Sequence, residues 1–189
     1  VIFSIFPSKN FIDLGLYQFG WEHCEPSHSF GPAMRNHFLF HYVISGTGTL
    51  IAENSKKESI SYSIKSGQGF MIFPNQICTY IADAQQPWEY VWIEFDGLRA
   101  KETVELSGLC VNSPVYKAKY KDVAQTMKDE MLYIINHKDD SPFHLIGQSF
   151  FSTMLYRNIS YSKSLKHIFV ISNYHNHMCL GVIFIRHSR

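Results

Sequence analysis

The sequence is short of charge. Only 17% of its 189 residues are Asp, Glu, Lys or Arg, and 17 basic against 16 acidic side chains leave a formal net charge of +1. A surface that grips nucleic acid by itself carries a basic excess, so that role is not expected of this chain. Cysteine is sparse and scattered: Cys24, Cys78, Cys110 and Cys179 are far apart, with no CxxC pair. That pattern fits reduced thiols in a cytosolic protein rather than a disulfide framework or a zinc knuckle. Long apolar runs are missing. The best one near the end, Met178 to Ile185, falls far below the roughly 18 residues needed to span a bilayer. The opening Val1-Ile2-Phe3-Ser4-Ile5-Phe6-Pro7 has no positive n-region and makes a poor signal peptide. The expectation is a soluble, cytoplasmic protein without membrane contact, whose initial Val marks a processed or cloned start. GxSxG, the Walker-type GxxxxGK and GxGxxG after a strand are all absent, so nucleophilic and phosphate chemistry have no positive support.

Rings are plentiful instead, with 15 Phe, 11 Tyr and 3 Trp, and the 46% hydrophobic content excludes wholesale disorder. The length suits one domain, or one with a small appendage. Runs rich in β-branched and aromatic residues span Leu14 to Cys24, His37 to Ile44, Thr47 to Glu53, Ser59 to Ile64, Gly69 to Phe73, Ile77 to Ala82 and Trp88 to Phe95. Turn-forming clusters such as Ser45-Gly46, Lys65-Ser66-Gly67 and Pro74-Asn75 separate them. Short strands at about ten-residue spacing predict an all-β sandwich or barrel over residues 1–97.

After Gly97 the period changes. Leu98 to Ser107 reads as a short helix. Tyr120 to His137 places Ala124, Met127, Met131 and Ile134 on one helical stripe. Asp140-Ser141-Pro142 then caps a second helix from Phe143 to about Arg157. The spacing thus predicts an αα-hairpin within residues 98–160, covering the β domain or forming a homodimer seam. The fold class is mainly β with C-terminal helices.

Ten histidines make metal the first chemistry to test. A β-barrel around Ser45-Gly46-Thr47-Gly48 resembles the cupin metalloenzymes, which gather two His, a Glu and a later His inside the barrel. The corresponding positions hold Ala33, Arg35, Leu39 and Thr79, which do not make a ligand set. His175-x-His177-x-Cys179 in the ragged tail is more simply solvated polar sequence. No metal and no cofactor are expected. Glu22, Glu89 and Glu94 invite comparison as acid–base partners, but their spacing gives no sign that any two meet.

A binding pattern remains. The two-residue period of Trp88 to Phe95 puts Tyr90, Trp92 and Glu94 on one face and Val91, Ile93 and Phe95 on the other. The next apolar face suits helices; the first offers two flat rings and a carboxylate. In the earlier strand the same alternation groups Arg35, His37 and His41 with Leu39 and Val43. Such a lining suits a polyhydroxylated ligand, whose C–H faces stack on rings while Arg, Glu and His bind its hydroxyls. The plainer alternative is that the rings merely fill a small barrel.

These residues fall into ordered blocks: Arg35-x-His37-x(3)-His41-Tyr42-Val43-Ile44-Ser45-Gly46-x-Gly48, Gly67-x-Gly69-Phe70-x-Ile72-x-Pro74, Tyr80-Ile81-Ala82-Asp83, and Pro87-Trp88-x-Tyr90-x-Trp92-Ile93-x-Phe95-x-Gly97. Over about residues 11–160 the chain resembles the N-terminal effector-binding domain of AraC-type transcription regulators, nearest the sugar-use branch of Gram-positive bacteria. The resemblance implies a double-stranded β-helix, the cupin-like jelly-roll barrel, free of metal and binding a small sugar, followed by dimerising helices. It also implies ligand contacts at Tyr80, Tyr90 and Trp92, with Arg35 and His41 in the first block. Glu94 joins them from the alternation. The family continues into a DNA-binding domain with two helix-turn-helix units. Here Ile171 to Leu180 faintly resembles its opening, so residues 161–189 read as a linker or a truncated start of that domain, and DNA contact is expected only through the missing part. Sugar binding is expected to shift the segment Val1 to Phe11. The competing readings are a metal-dependent cupin enzyme acting on a sugar and a non-regulatory carbohydrate-binding module.

Overall fold

The computed structural model describes residues 1–5 and 15–137. Among the described residues ten strands run in chain order: β1 Ile2–Ile5, β2 Gly15–His23, β3 Ser29–Ala33, β4 Phe38–Ser45, β5 Thr47–Glu53, β6 Ser59–Lys65, β7 Gln68–Ile72, β8 Cys78–Ala82, β9 Glu89–Asp96 and β10 Val115–Lys117. Two helices, α1 Ala100–Leu106 and α2 Lys121–Asn136, flank β10. One sheet has the order β1-β2-β9-β4-β7-β10 and the other β3-β8-β5-β6, with every pairing antiparallel. The ordering β2-β9-β4-β7 facing β3-β8-β5-β6 is that of an eight-stranded jelly roll, two interlocked Greek keys. β1 and β10 extend the larger sheet at its two edges.

The larger sheet is covered on both faces, which explains the nearly unbroken burial of β4. Its outer face carries Phe38, Phe40, Tyr42, Val91, Ile93 and Phe95, packed with Val104 of α1 and Met127, Met131 and Ile134 of α2. The Tyr42 hydroxyl donates to the carbonyl of Ala124 at 2.9 Å, tying α2 to β4. Its inner face carries Leu39, Val43, Phe70, Ile72 and Tyr90, which meet Leu50, Ala52, Ile64, Cys78 and Tyr80 from the smaller sheet. The barrel interior is that second cluster.

Two glycines of the β4–β5 turn are demanded by contact. Gly46 has φ +73°, and a Cβ there would stand 2.2 Å from the Pro87 carbonyl oxygen. A Cβ on Gly48 would lie 2.4 Å from the ring of Trp88, which is wholly buried. This is why the turn reads Ser-Gly-Thr-Gly: the chain crosses against β9 with no space for a side chain.

The seven strands expected from alternation are all present, each end within one residue of the expected position. Three were not expected. β3 contains Gly31-Pro32 and loses register with β8 between Phe30 and Ala33, so its local chemistry is that of a turn. β10 is only three residues long, and its partner β7, not its own pattern, makes it a strand. β1 lies in the apolar opening stretch and is held by β2. The α2 stripe begins at Val123, not Ala124, which is only half-buried. The second hairpin helix (143–157), the tail (161–189) and most of the N-terminal segment expected to move (6–11) lie outside the described residues.

Candidate functional site

β9 lines the interior with Glu94, Trp92 and Tyr90 in succession, followed by Trp88 just before the strand. β2 matches it from the neighbouring position, pairing Gln18 with Glu94, Gly20 with Trp92 and Glu22 with Tyr90. β4 adds His41 opposite Trp92, and β8 contributes Tyr80 from the facing sheet. The alternation expected of β9 and β4 therefore holds: one set points inward, and Val91, Ile93 and Phe95 pack toward the helices.

His41 sits at the centre of the deep part. Its ring stacks on Phe70 at 4.5 Å between centroids and lies 4.9 Å from Tyr80, 5.0 Å from Tyr90 and 6.4 Å from Trp92. Only 1% of it is exposed, and its Nδ1 has no hydrogen-bond partner among the described residues. Burial first, and the positive charge of Arg35 second, hold its pKa well below the usual histidine range, so the ring is neutral. Burial likewise raises the phenols of Tyr80 and Tyr90. Both are therefore un-ionised hydrogen-bonding groups set in a nest of rings. The Tyr90 hydroxyl donates to Glu22 Oε2 at 3.1 Å. Nearby Cys24 is a buried thiol pushed up to about 11 by desolvation.

The mouth is different in kind. Arg35 Nη1 donates to Glu94 Oε2 at 3.2 Å, His37 Nδ1 faces Glu94 Oε1 at 3.2 Å, and the Gln18 amide also donates to Glu94. Tyr17 stacks on His37 at 3.6 Å, while the Arg35 guanidinium lies 5.1 Å above the Phe30 ring, itself stacked on Tyr80. Glu94 is buried, but Arg35, His37 and Trp92 are half-exposed. A cation, an imidazole and an indole thus reach solvent together around a buried carboxylate, over a floor of closely packed neutral rings.

All six expected site residues come together: Arg35, Trp92 and Glu94 at the mouth, His41, Tyr80 and Tyr90 below it. Tyr17, Gln18 and Phe30 were missed. Gln18 was legible in principle, because β2 carries it two residues from Gly20 and four from Glu22 on one face. The three candidate acid–base carboxylates do not meet. Glu89 is held by Trp21 and Ser45, Glu22 by Tyr90, and Glu94 by the mouth cluster. The cupin metal does not fit this interior: Leu39 points inward as a hydrocarbon, and Arg35 brings a positive charge.

A family model for the AraC-like ligand binding domain matches residues 15–129. The Msm operon regulatory protein of Streptococcus mutans serotype c is 34% identical over 109 residues, covering 57% of this chain and 37% of that protein. The raffinose operon transcriptional regulatory protein RafR of Pediococcus pentosaceus is 30% identical over 141 residues, covering 74% of this chain and 48% of that protein. The chain thus spans less than half the length of either relative. A mutant of the Bacillus subtilis oxalate decarboxylase OxdC superimposes with a TM-score of 0.40 at 12% identity, over 57% of this chain and 34% of that one.

Proposed function

Because the chain belongs to the AraC-like ligand binding domain family, we propose that it is the effector-sensing and dimerising part of a transcription regulator whose effector is an uncharged saccharide. Its role is regulatory and not enzymatic; DNA contact belongs to a separate helix-turn-helix region, and the protein works in the cytoplasm. The relative named for a raffinose operon supports an oligosaccharide or one of its component sugars as the effector class.

The observation that carries this reading is the mouth cluster. Trp92 is a half-buried indole on the same face of β9 as Glu94, which pairs with Arg35 at 3.2 Å. A pyranose stacks its C–H face on such an indole and directs hydroxyls at groups that donate (Arg35) and accept (Glu94) side by side. Tyr80, Tyr90 and His41 form the floor, where neutral groups hydrogen-bond hydroxyls without attracting ions. Binding to the native state alone raises its stability, so a thermal-shift panel of raffinose and mono- and disaccharides tests the idea directly. At least one sugar should stabilise the wild-type chain, and Trp92→Ala should abolish that stabilisation while the ligand-free protein stays folded. Equal stabilisation of both proteins, or none by any saccharide, overturns the reading.

A further inference from the structure

We propose that Glu22, Cys24 and His28 bind a divalent transition-metal ion of the zinc class at the corner where β2 passes into β3. This site adjoins the floor of the proposed pocket through Tyr90 but does not depend on the saccharide reading.

The carboxylate of Glu22, the thiol of Cys24 and the imidazole of His28 bring their ligand atoms within 4.8 Å of one another. Glu22 and Cys24 flank His23 at the end of β2, and His28 follows Cys24 after three residues. That three-residue spacing is of the kind by which short loops chelate zinc. The turn between them is closed by the His28 N–H donating to the Glu25 carbonyl at 3.0 Å, which turns His28 back toward β2. His28 Nε2 and Glu22 Oε1 stand 3.7 Å apart, too far for a hydrogen bond. Around a tetrahedral zinc, neighbouring ligand atoms sit about 3.5 Å apart, so this pair already matches the edge of such a site. The other separations, none above 4.8 Å, exceed that edge by about 1 Å, a difference that side-chain rotation closes.

The second carboxylate oxygen is fixed from behind. Tyr90 donates to Glu22 Oε2 at 3.1 Å, leaving Oε1 directed at His28. An outer hydrogen bond of this kind orients a ligating carboxylate. Charge also balances: thiolate and carboxylate cancel the two positive charges of the ion, and the imidazole ligates as a neutral group. On binding, the Cys24 thiol gives its proton to solvent and forms the metal–sulfur bond. Cys24 is buried while His28 is partly exposed, so a water completes the fourth position from the solvent side. Mixed N, O and S donors favour zinc over calcium or magnesium, which take oxygen alone.

Cobalt(II) titration of the full 189-residue chain tests this, because a thiolate ligand adds a near-ultraviolet charge-transfer band to the visible d–d bands. One equivalent should produce the band, Cys24→Ser should abolish it, and Cys110→Ser and Cys179→Ser should leave it intact. Cys24 is part of the core, so His28→Ala provides the independent arm. Losing an outer-shell partner alone weakens metal binding 10–100-fold, so loss of this direct ligand should weaken zinc at least about tenfold in chelator competition, with metal-free unfolding unchanged. No charge-transfer band, a band that survives Cys24→Ser or vanishes only with Cys179→Ser, or unchanged zinc affinity in His28→Ala overturns the proposal.

Discussion

The carboxylate of Glu94 holds the mouth together, and replacing it with an amide of the same shape exposes how strongly. Glu94 is 5% exposed and receives hydrogen bonds from Gln18 and Arg35, with His37 Nδ1 at 3.2 Å. In Glu94→Gln one acceptor oxygen becomes an NH2 donor facing groups that also donate, and at least one of them is left unsatisfied. A hydrogen bond to a charged group is worth about 1.5–3 kcal/mol, and stripping one partner from a fully buried ion pair costs about 3–5 kcal/mol. The larger figure does not apply here. The side chains of Arg35 and His37 are 25% and 24% exposed, so water takes over part of their solvation once the charge is gone. The expected loss is about 1–2 kcal/mol. For a chain of this size that lowers the midpoint of thermal unfolding by about 2–8 °C.

The apportionment needs a double-mutant cycle. Glu94→Gln, Arg35→Met and the double variant are unfolded in urea and followed by tryptophan fluorescence, to which Trp92 contributes from beside the pair. Coupling of about 1 kcal/mol is expected, because the two groups touch and share solvent shielding. Coupling under about 0.3 kcal/mol, with Glu94→Gln as stable as wild type, refutes the argument that burial strengthens this pair. Glu94 would then be an ordinary rim carboxylate.

Two further outcomes follow from the packing below. The neutral His41 gives the fold a dependence on pH: the unfolded chain takes up a proton below the ordinary histidine pKa of about 6.5, while the folded one resists it. The unfolded state thus binds more protons there, and stability present above pH 6.5 is lost as pH falls, by about 1.4 kcal/mol per unit. His41→Phe should lose stability less steeply than wild type between pH 6.5 and 5, by about one proton, and equal slopes in urea titrations speak against a neutral buried ring. Gly48→Ala places a Cβ 2.4 Å from the fixed Trp88 ring and 2.6 Å from the Ile81 carbonyl oxygen, so overpacking should cost about 1–3 kcal/mol or more. A urea midpoint within error of wild type would show that the ring has room to retreat.

What the sequence reveals here is face, and what it conceals is depth. Alternation in β9 separates Tyr90, Trp92 and Glu94 from Val91, Ile93 and Phe95 because successive side chains leave a strand on opposite sides. Knowing that Trp92 and Tyr90 share a face does not say that one meets solvent while the other is sealed. That difference comes from the rings packed around Tyr90, those of His41 from β4, Tyr80 from β8 and Trp88. β3 itself was hidden, since Gly31-Pro32 is turn chemistry that only the β8 partner overrides. The grouping of Glu22, Cys24 and His28 was hidden for a related reason. Residues 22 and 24 are legible as one face of a strand, but the return of His28 depends on a turn whose direction no periodicity encodes.

The depth profile also bears on which guest the proposed pocket selects. A site for an anion would leave Arg35 unpaired, and a site for a cation would leave Glu94 free. Here the two are joined at 3.2 Å, so their fields largely cancel a few ångströms away. An ion entering the mouth gives up its hydration and meets no net opposite charge, whereas a neutral polyol exchanges water hydrogen bonds for equivalent ones at low electrostatic cost. The floor applies the same filter, because His41, Tyr80 and Tyr90 are each held in the uncharged form by burial. Arg35 holds Glu94 of β9 and also lies over the Phe30 ring of β3, so a guest that pulls it toward solvent disturbs both sheets at once. Under the proposed function, that shared arginine is where occupancy of the mouth turns into strain between β3 and β9.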